Sequence, residues 1–198
     1  MRYAQKTTHI AALLMLGCLA TPLIAVAAPA TYTIDPNHTY PSFEADHMGL
    51  SVWRGKFNKS SGKVTLDRTA GSGDVAITVD MASVDFGLDT LNKWALGKDF
   101  FDTAHYPKAN YKGKLAGFVD GAPTRVDGEL TLHGVTKPVT LKINSFKCIP
   151  HPIYKRELCG ADALTTIDRS AFGIDAGKSY GFKMDVTLRI QVEALVDK

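Results

Sequence analysis

Residues equipped for chemistry are few in this chain, and their spacing argues against most catalytic designs. Gly177-Lys-Ser-Tyr-Gly181 fits the pattern of a nucleophile elbow. That elbow needs a strand-to-helix turn, with its acid and His following the Ser in the chain. No His follows Ser179, and the segment runs into a strand-like stretch, so a glycine-rich turn is the reading. Ser60-Ser-Gly-Lys63 lacks the spacing of a phosphate loop. His38, His47, His105, His133 and His151 never stand two or four residues apart, the spacings that would preset a metal site, and no metal is expected. His133, in a Gly-containing turn, reads as solvated.

Cys148 and Cys159 remain, and their chemistry depends on compartment. Met1 to Ala27 has the parts of a secretory signal: Arg2 and Lys6, the apolar run Ile10 to Ala20, and the small-residue site Ala25-Val-Ala27 before Ala28-Pro29. The run is shorter than the ~20 residues of a membrane-spanning helix. Leu16-Gly-Cys18 also loosely resembles a lipoprotein cleavage box, but the Ala-x-Ala site fits better. Two segments are therefore expected: 1–27 as signal peptide and 28–198 as one exported domain, in the periplasm or secreted. Cys148 and Cys159 then form the even pair that an oxidising compartment joins, and a disulfide between them is expected. Without the leader the charge is 21 basic residues against 20 acidic, which offers no footprint for nucleic acid.

The elements that must carry these residues alternate with a period of two. In Phe182-Lys-Met-Asp-Val-Thr-Leu-Arg-Ile-Gln-Val192 every second residue is large and apolar. Such a strand has one dry and one wet face. The same pattern runs through Val75 to Asp80, Arg125 to Leu132 and Val139 to Asn144, with weaker strands at 32–34, 43–47, 53–57, 63–66, 109–118 and 163–167. Turn signals at Ser61-Gly62, Gly71-Ser-Gly73, Asp120-Gly-Ala-Pro123 and His133-Gly134 separate them. Between Val84 and Pro107, Leu88, Leu91, Trp94 and Ala95 follow helical spacing instead, with Asp89 as N-cap and Gly97 as stop. Eight or nine strands with one helical insertion predict an all-β closed barrel or sandwich. Alternation also puts Asp127, Glu129, Asp185 and Glu193 outside, so no acid–base pair is expected inside and the chain does not read as an enzyme.

The residues resemble the YceI-like family of exported lipid-binding proteins over nearly the whole mature chain. The resemblance rests on Tyr32-Thr-Ile-Asp-Pro-Asn-His38, His47-Met-Gly49, Arg54-Gly-Lys-Phe57, Ser61 to Asp67, Phe100-Phe-Asp102 with Tyr106-Pro107, Gly128 to Leu141 and Ile167-Asp-Arg-Ser-Ala-Phe-Gly173, in order. It implies an extended eight-stranded antiparallel lipocalin-like β-barrel with a short helical insertion. Its apolar pore would hold a polyisoprenoid, quinone-type lipid or other long-chain amphiphile, with no catalytic cofactor. The family often carries a His before the position of Gly97, where this chain has Trp94. His47 matches a family position, which implies either a structural group or part of a head-group site. Arg54 and Lys56 are candidates to meet an anionic or phenolic head, with a solvated outer face as the competing reading.

With alternation, the resemblance gives an expected ligand-contacting set of Phe43, His47, Trp53, Phe57, Leu91, Trp94, Phe100, Phe101, Tyr111, Val126, Leu130, Leu141, Met184, Val186 and Leu188. The expected role is a periplasmic carrier of a long isoprenoid. The competing readings are a scavenger of lipophilic antibiotics or stress-related amphiphiles, an isoprenoid-modifying enzyme, and a filled barrel serving protein contact. A homodimer and transient membrane contact are further expectations for its partners.

Overall fold

The alternating stretches do form strands, and they close on one another. The computed structural model describes residues 28–198, so the expected signal peptide and Cys18 lie outside the described residues. In chain order the elements are β1 (Ala30–Ile34), β2 (Tyr40–His47), β3 (Ser51–Phe57), β4 (Ser60–Asp67), β5 (Ser72–Asp80), β6 (Val84–Asp85), α1 (Asp89–Ala95), β7 (Lys108–Ala116), β8 (Arg125–Leu132), β9 (Val135–Pro150), β10 (Glu157–Asp168) and β11 (Asp185–Val196). Each strand pairs antiparallel with its neighbours, and β1 pairs with both β4 and β11 to close the ring. β1 with β2, β3 with β4, and β5 with β6 each make one long, interrupted stave. The result is an eight-staved up-and-down barrel closed through the ring β1-β4-β5-β7-β8-β9-β10-β11, with β6 paired on one side only, to β3.

The three interruptions lie side by side and are stitched together. The Asp35 N–H donates to the Glu193 carbonyl (2.8 Å), and the Thr39 hydroxyl donates to the same oxygen (3.2 Å). The Ser60 hydroxyl donates to the Thr39 carbonyl (3.2 Å), and the Asp80 N–H donates to the Lys59 carbonyl (3.0 Å). Thr39 and Ser60 are buried polar groups with these partners, so the breaks bend the staves without orphaning polar atoms.

Several local readings of the sequence are corrected here. Ser61-Gly62 is not a turn but lies within β4, near its start. A Cβ on Gly62 would stand 2.2 Å from the Ala76 carbonyl oxygen, so the glycine is there for the close approach of β5. The last strand begins at Asp185, because β10, its partner, ends at Asp168. Asp89 is the first helical residue rather than the N-cap. Leu88 precedes the helix with no side-chain cap, and Asn92 Oδ1 accepts from the Phe86 N–H (2.7 Å). His133 is half-buried, its Nδ1 3.2 Å from the Phe172 carbonyl and its Nε2 buried with no partner.

The meander fixes what gathers at each end. One end collects the β2–β3 turn, the segment 86–107 with α1, the β8–β9 turn and the segment 169–184. The other collects the β4–β5, β7–β8 and β9–β10 connections and the Ala30 start of β1. There Cys148 and Cys159 pair in register across β9 and β10 and are joined by a disulfide, as expected.

Candidate functional site

The inward residues of the staves do not meet in the middle. They line a cavity of about 400 Å³ that runs along the barrel, within the range of small-molecule pockets. Between β11 and its neighbours the wall is Val186, Leu188, Ile190, Val192 and Ala194 on one strand, with Ala161, Ala163 and Ile167 opposite. Val126, Leu130, Val139, Leu141, Ile143 and Phe146 continue it. On β9 the inward set passes from odd to even numbers at Asn144, where the register with β10 shifts. This β-bulge is what lets Phe146 join the same wall as Leu141.

The closed end is a polar-backed floor. The Tyr32 side chain is buried there and its hydroxyl donates to Glu157 Oε1, which also accepts from Arg68 Nη2 (2.9 Å). Burial first, and then the Glu157 carboxylate, push the Tyr32 phenol up to about 12. Cys159, half of the disulfide, belongs to this floor, as do Leu66 and Leu115. Tyr111 crosses the wall at mid-barrel and donates to the Val139 carbonyl (2.8 Å), with the Val126 carbonyl at 3.2 Å. Burial raises its phenol far above the ordinary value, and the Asp127 carboxylate adds to that.

The opposite end opens. Trp94, 48% exposed, and Tyr180, 76% exposed, both line the cavity, so the pore reaches solvent between α1 and the 169–184 segment. Below them lies an aromatic cluster. Phe43 meets Phe86 edge-on (5.3 Å) and Phe57 tilted (5.7 Å), and Phe101 meets Phe57 (5.7 Å) and Phe100 (4.7 Å). Gly55 makes room for it, since a Cβ there would stand 2.5 Å from Phe43 Cζ.

Most of the expected set stands on this wall: Phe43, Trp53, Phe57, Trp94, Phe100, Phe101, Tyr111, Val126, Leu130, Leu141, Val186 and Leu188. Three residues do not. His47, the last residue of β2, does not line the cavity but packs on two rings that do, stacked on Trp53 (4.2 Å) and edge-on to Phe182 (4.9 Å). Leu91 is half-buried in α1, whose fully buried residue is Ala95. Met184 precedes β11, and its carbonyl accepts from the Arg169 N–H (2.9 Å).

The cations proposed for a head group are also elsewhere. Arg54 pairs with Glu44 on the outer face (3.0 Å), and Arg189 pairs with the same carboxylate (3.1 Å). The two guanidiniums, Arg189 first, hold the Glu44 carboxyl below its ordinary range. Lys56 stands over the Tyr40 ring (4.7 Å). Instead the wall carries Arg169, the third residue of the Ile167 to Gly173 motif. The remaining histidines are held locally, His38 by Asp35 (2.7 Å), His105 by Asp102 (2.9 Å) and His151 by the Ile153 N–H (3.1 Å). Among the described residues, the group of potential metal ligands close enough to share an ion is Cys148, Glu157 and Cys159, and its two sulfurs are spent in the disulfide. Gly177 to Gly181 forms a short 3₁₀ turn at the mouth, not an elbow into a helix.

Known proteins share this architecture. The YceI-like domain profile matches residues 32–194. A UPF0312 protein of Vibrio parahaemolyticus is 31% identical over 176 residues, 87% of this chain and 91% of that protein. Among solved structures, BcnA of Burkholderia cenocepacia superposes with a TM-score of 0.67 at 24% identity, covering 81% of this chain and 98% of that one. A polyisoprenoid binding domain from Saccharophagus degradans gives 0.62 at 18% identity, covering 85% and 99%.

Proposed function

Since the chain belongs to the YceI-like domain family, we propose that it is a periplasmic carrier that holds one long isoprenoid chain, of a quinone or polyprenyl lipid, inside its barrel. The observation that carries this reading is the continuous apolar pore of about 400 Å³, open at one end and floored at the other. A solid core would have served protein contact alone, and this barrel is hollow. The structural likeness to a polyisoprenoid binding domain supports the same ligand class.

Energetics favour a tail-driven grip. Each methylene moved from water onto this wall contributes about 0.8 kcal/mol, so affinity grows with chain length until the pore is full. Polar contacts are then needed only to orient the head. The leader and the disulfide support export to an oxidising compartment. Exposed Met48, Leu50, Val52, Leu88, Trp94 and Tyr180 rim the pore mouth, which supports lipid exchange there by brief contact with a membrane, while exposed Val119, Ile149, Ile153 and Tyr154 lie at the floored end, away from the opening.

Capture of lipophilic antibiotics or stress-related amphiphiles is the second reading. It is favoured by a wall apolar over most of its length, whose grip on a tail does little to exclude other long molecules. Native mass spectrometry of gently purified mature protein, with organic extraction of the bound material, tests the assignment. One prenyl chain per barrel is the expected result. A clean empty mass that also fails to take up added quinone or polyprenyl lipid removes the carrier reading. A bound antibiotic-like compound in its place moves the second reading to first.

A further inference from the structure

Arg169 is an anomaly on an apolar wall. It is 6% exposed, so more than nine-tenths of it is out of solvent, and it lines the pore. Alternation places it there, two residues beyond the inward Ile167, just past the end of β10 at the open end. Burying a charge is costly unless it is paired. Yet among the described residues no carboxylate oxygen lies within 4.0 Å of its nitrogens.

Its protein partners are neutral. Nη1 donates to the Ile174 carbonyl (2.8 Å) and Nη2 to the Ala176 carbonyl (2.6 Å). A guanidinium has five N–H donors in a planar fork, so these bonds fix its plane and leave donors over. The Phe100 ring, itself on the wall, lies 5.9 Å from the guanidinium carbon. Burial lowers the arginine's proton affinity from its ordinary value while Asp175 and Asp168 raise it, and an arginine keeps its charge through such shifts. The Asp168 carboxylate is itself occupied by the Ser170 N–H (2.8 Å) and hydroxyl (2.6 Å). Asp46 also lines the mouth, but its oxygens accept from the Gly49 N–H (3.1 Å) and the Lys183 N–H (3.4 Å).

We propose that Arg169 is the head-group anchor of the pore, so that the barrel selects long-chain amphiphiles ending in an oxyanion, a carboxylate or a phosphate, over neutral ones of equal length. The inference rests on the carrier reading and deepens it. The oxyanion supplies the missing countercharge and accepts the spare N–H groups, while the tail runs down the pore toward the Tyr32 floor. Neither Arg54 nor Lys56 can do this from the outer face. A neutral head leaves the buried charge uncompensated.

A matched set of twelve-carbon probes separates the claims without any mutation: dodecanoate, dodecyl phosphate, dodecanol and methyl dodecanoate. Binding is read by the fluorescence of Trp53 and Trp94, which both line the pore. Charge-assisted hydrogen bonds predict that the carboxylate or the phosphate binds about 10–100-fold more tightly than the alcohol and the ester. Whichever anion leads identifies the source of the oxyanion. In Arg169→Gln the preference collapses and the alcohol is held no more weakly, whereas Arg169→Lys keeps part of it. Equal affinity of all four probes for the unaltered protein overturns the anchor and leaves the carrier reading intact. Failure of every probe to bind overturns both. If Arg169→Gln does not fold, the unaltered protein's preference still decides.

Discussion

Replacing Ala163 by phenylalanine sets a ring across the pore halfway along its length. Ala163 is buried, faces the cavity and pairs with Ile190, midway between Val186 near the mouth and Ala194 near the floor. The eight residue steps from Val186 to Ala194, at ~3.3 Å each and tilted by about 40°, give an apolar height of ~20 Å. An extended covalent chain advances roughly 1.2 Å per bond, judging from the ~3.3–3.6 Å that a backbone gains over three. The pore therefore takes about 16 carbons, and the blocked pore about eight. The lost half corresponds to ~6 kcal/mol of transfer energy, or about four decades in affinity for a long chain. Titration with alkanoates of increasing length reads this directly. The unaltered protein should gain about fourfold per methylene up to roughly 16 carbons, and Ala163→Phe only up to roughly eight. The ring enters open pore rather than packed core, and circular dichroism checks that the barrel persists. If the folded variant keeps gaining affinity to 16 carbons, the chain does not lie in the pore and the argument fails.

Other consequences reach stability. Cys148→Ala with Cys159→Ala removes a link closing an eleven-residue separation and should cost on the order of 2–3 kcal/mol, lowering Tm by roughly 5–10 °C in calorimetry. Phe43→Ala deletes the hub of the aromatic cluster and should cost about 3–5 kcal/mol in urea unfolding. In a spectrophotometric alkaline titration Tyr32 should ionise near pH 12 and Tyr111 later still. Because both phenols are raised in the fold, their stabilisation is complete below about pH 10, where an unfolded tyrosine titrates, and is lost as pH climbs through the folded values.

The barrel was legible because a wall with one wet and one dry face writes its period into the chain. Val126, Leu130, Leu141, Val186 and Leu188 were placed inward from alternation, and the structure puts all five on the cavity wall. What alternation does not carry is where the pairing stops. Phe182 and Met184 continue the pattern beyond the last rung, so the strand looked longer than its partner β10 allows. A one-residue bulge at Asn144 flips the inward parity of β9, and in a polar stretch nothing marks the flip. At α1 the helical spacing of Leu88, Leu91, Trp94 and Ala95 did not say which of them reach the pore: Trp94 lines it, Leu91 does not, and the small Ala95 is the buried contact. Arg169 sits at an inward position by the same parity as Ile167. Parity alone does not say how a charge is held inside; the carbonyls of Ile174 and Ala176, set by a later turn, do.

The most direct test of the central claim is a nuclear Overhauser measurement between a ¹³C-labelled long-chain ligand and the methyl groups of the mature protein. Chain methylenes should give contacts to Val126, Leu130, Leu141, Val186, Leu188 and Ile190, in an order along the chain that follows their height in the barrel. Contacts confined to exposed methyls such as Leu50, Val52 and Leu88, with none to those inward residues, would contradict the account.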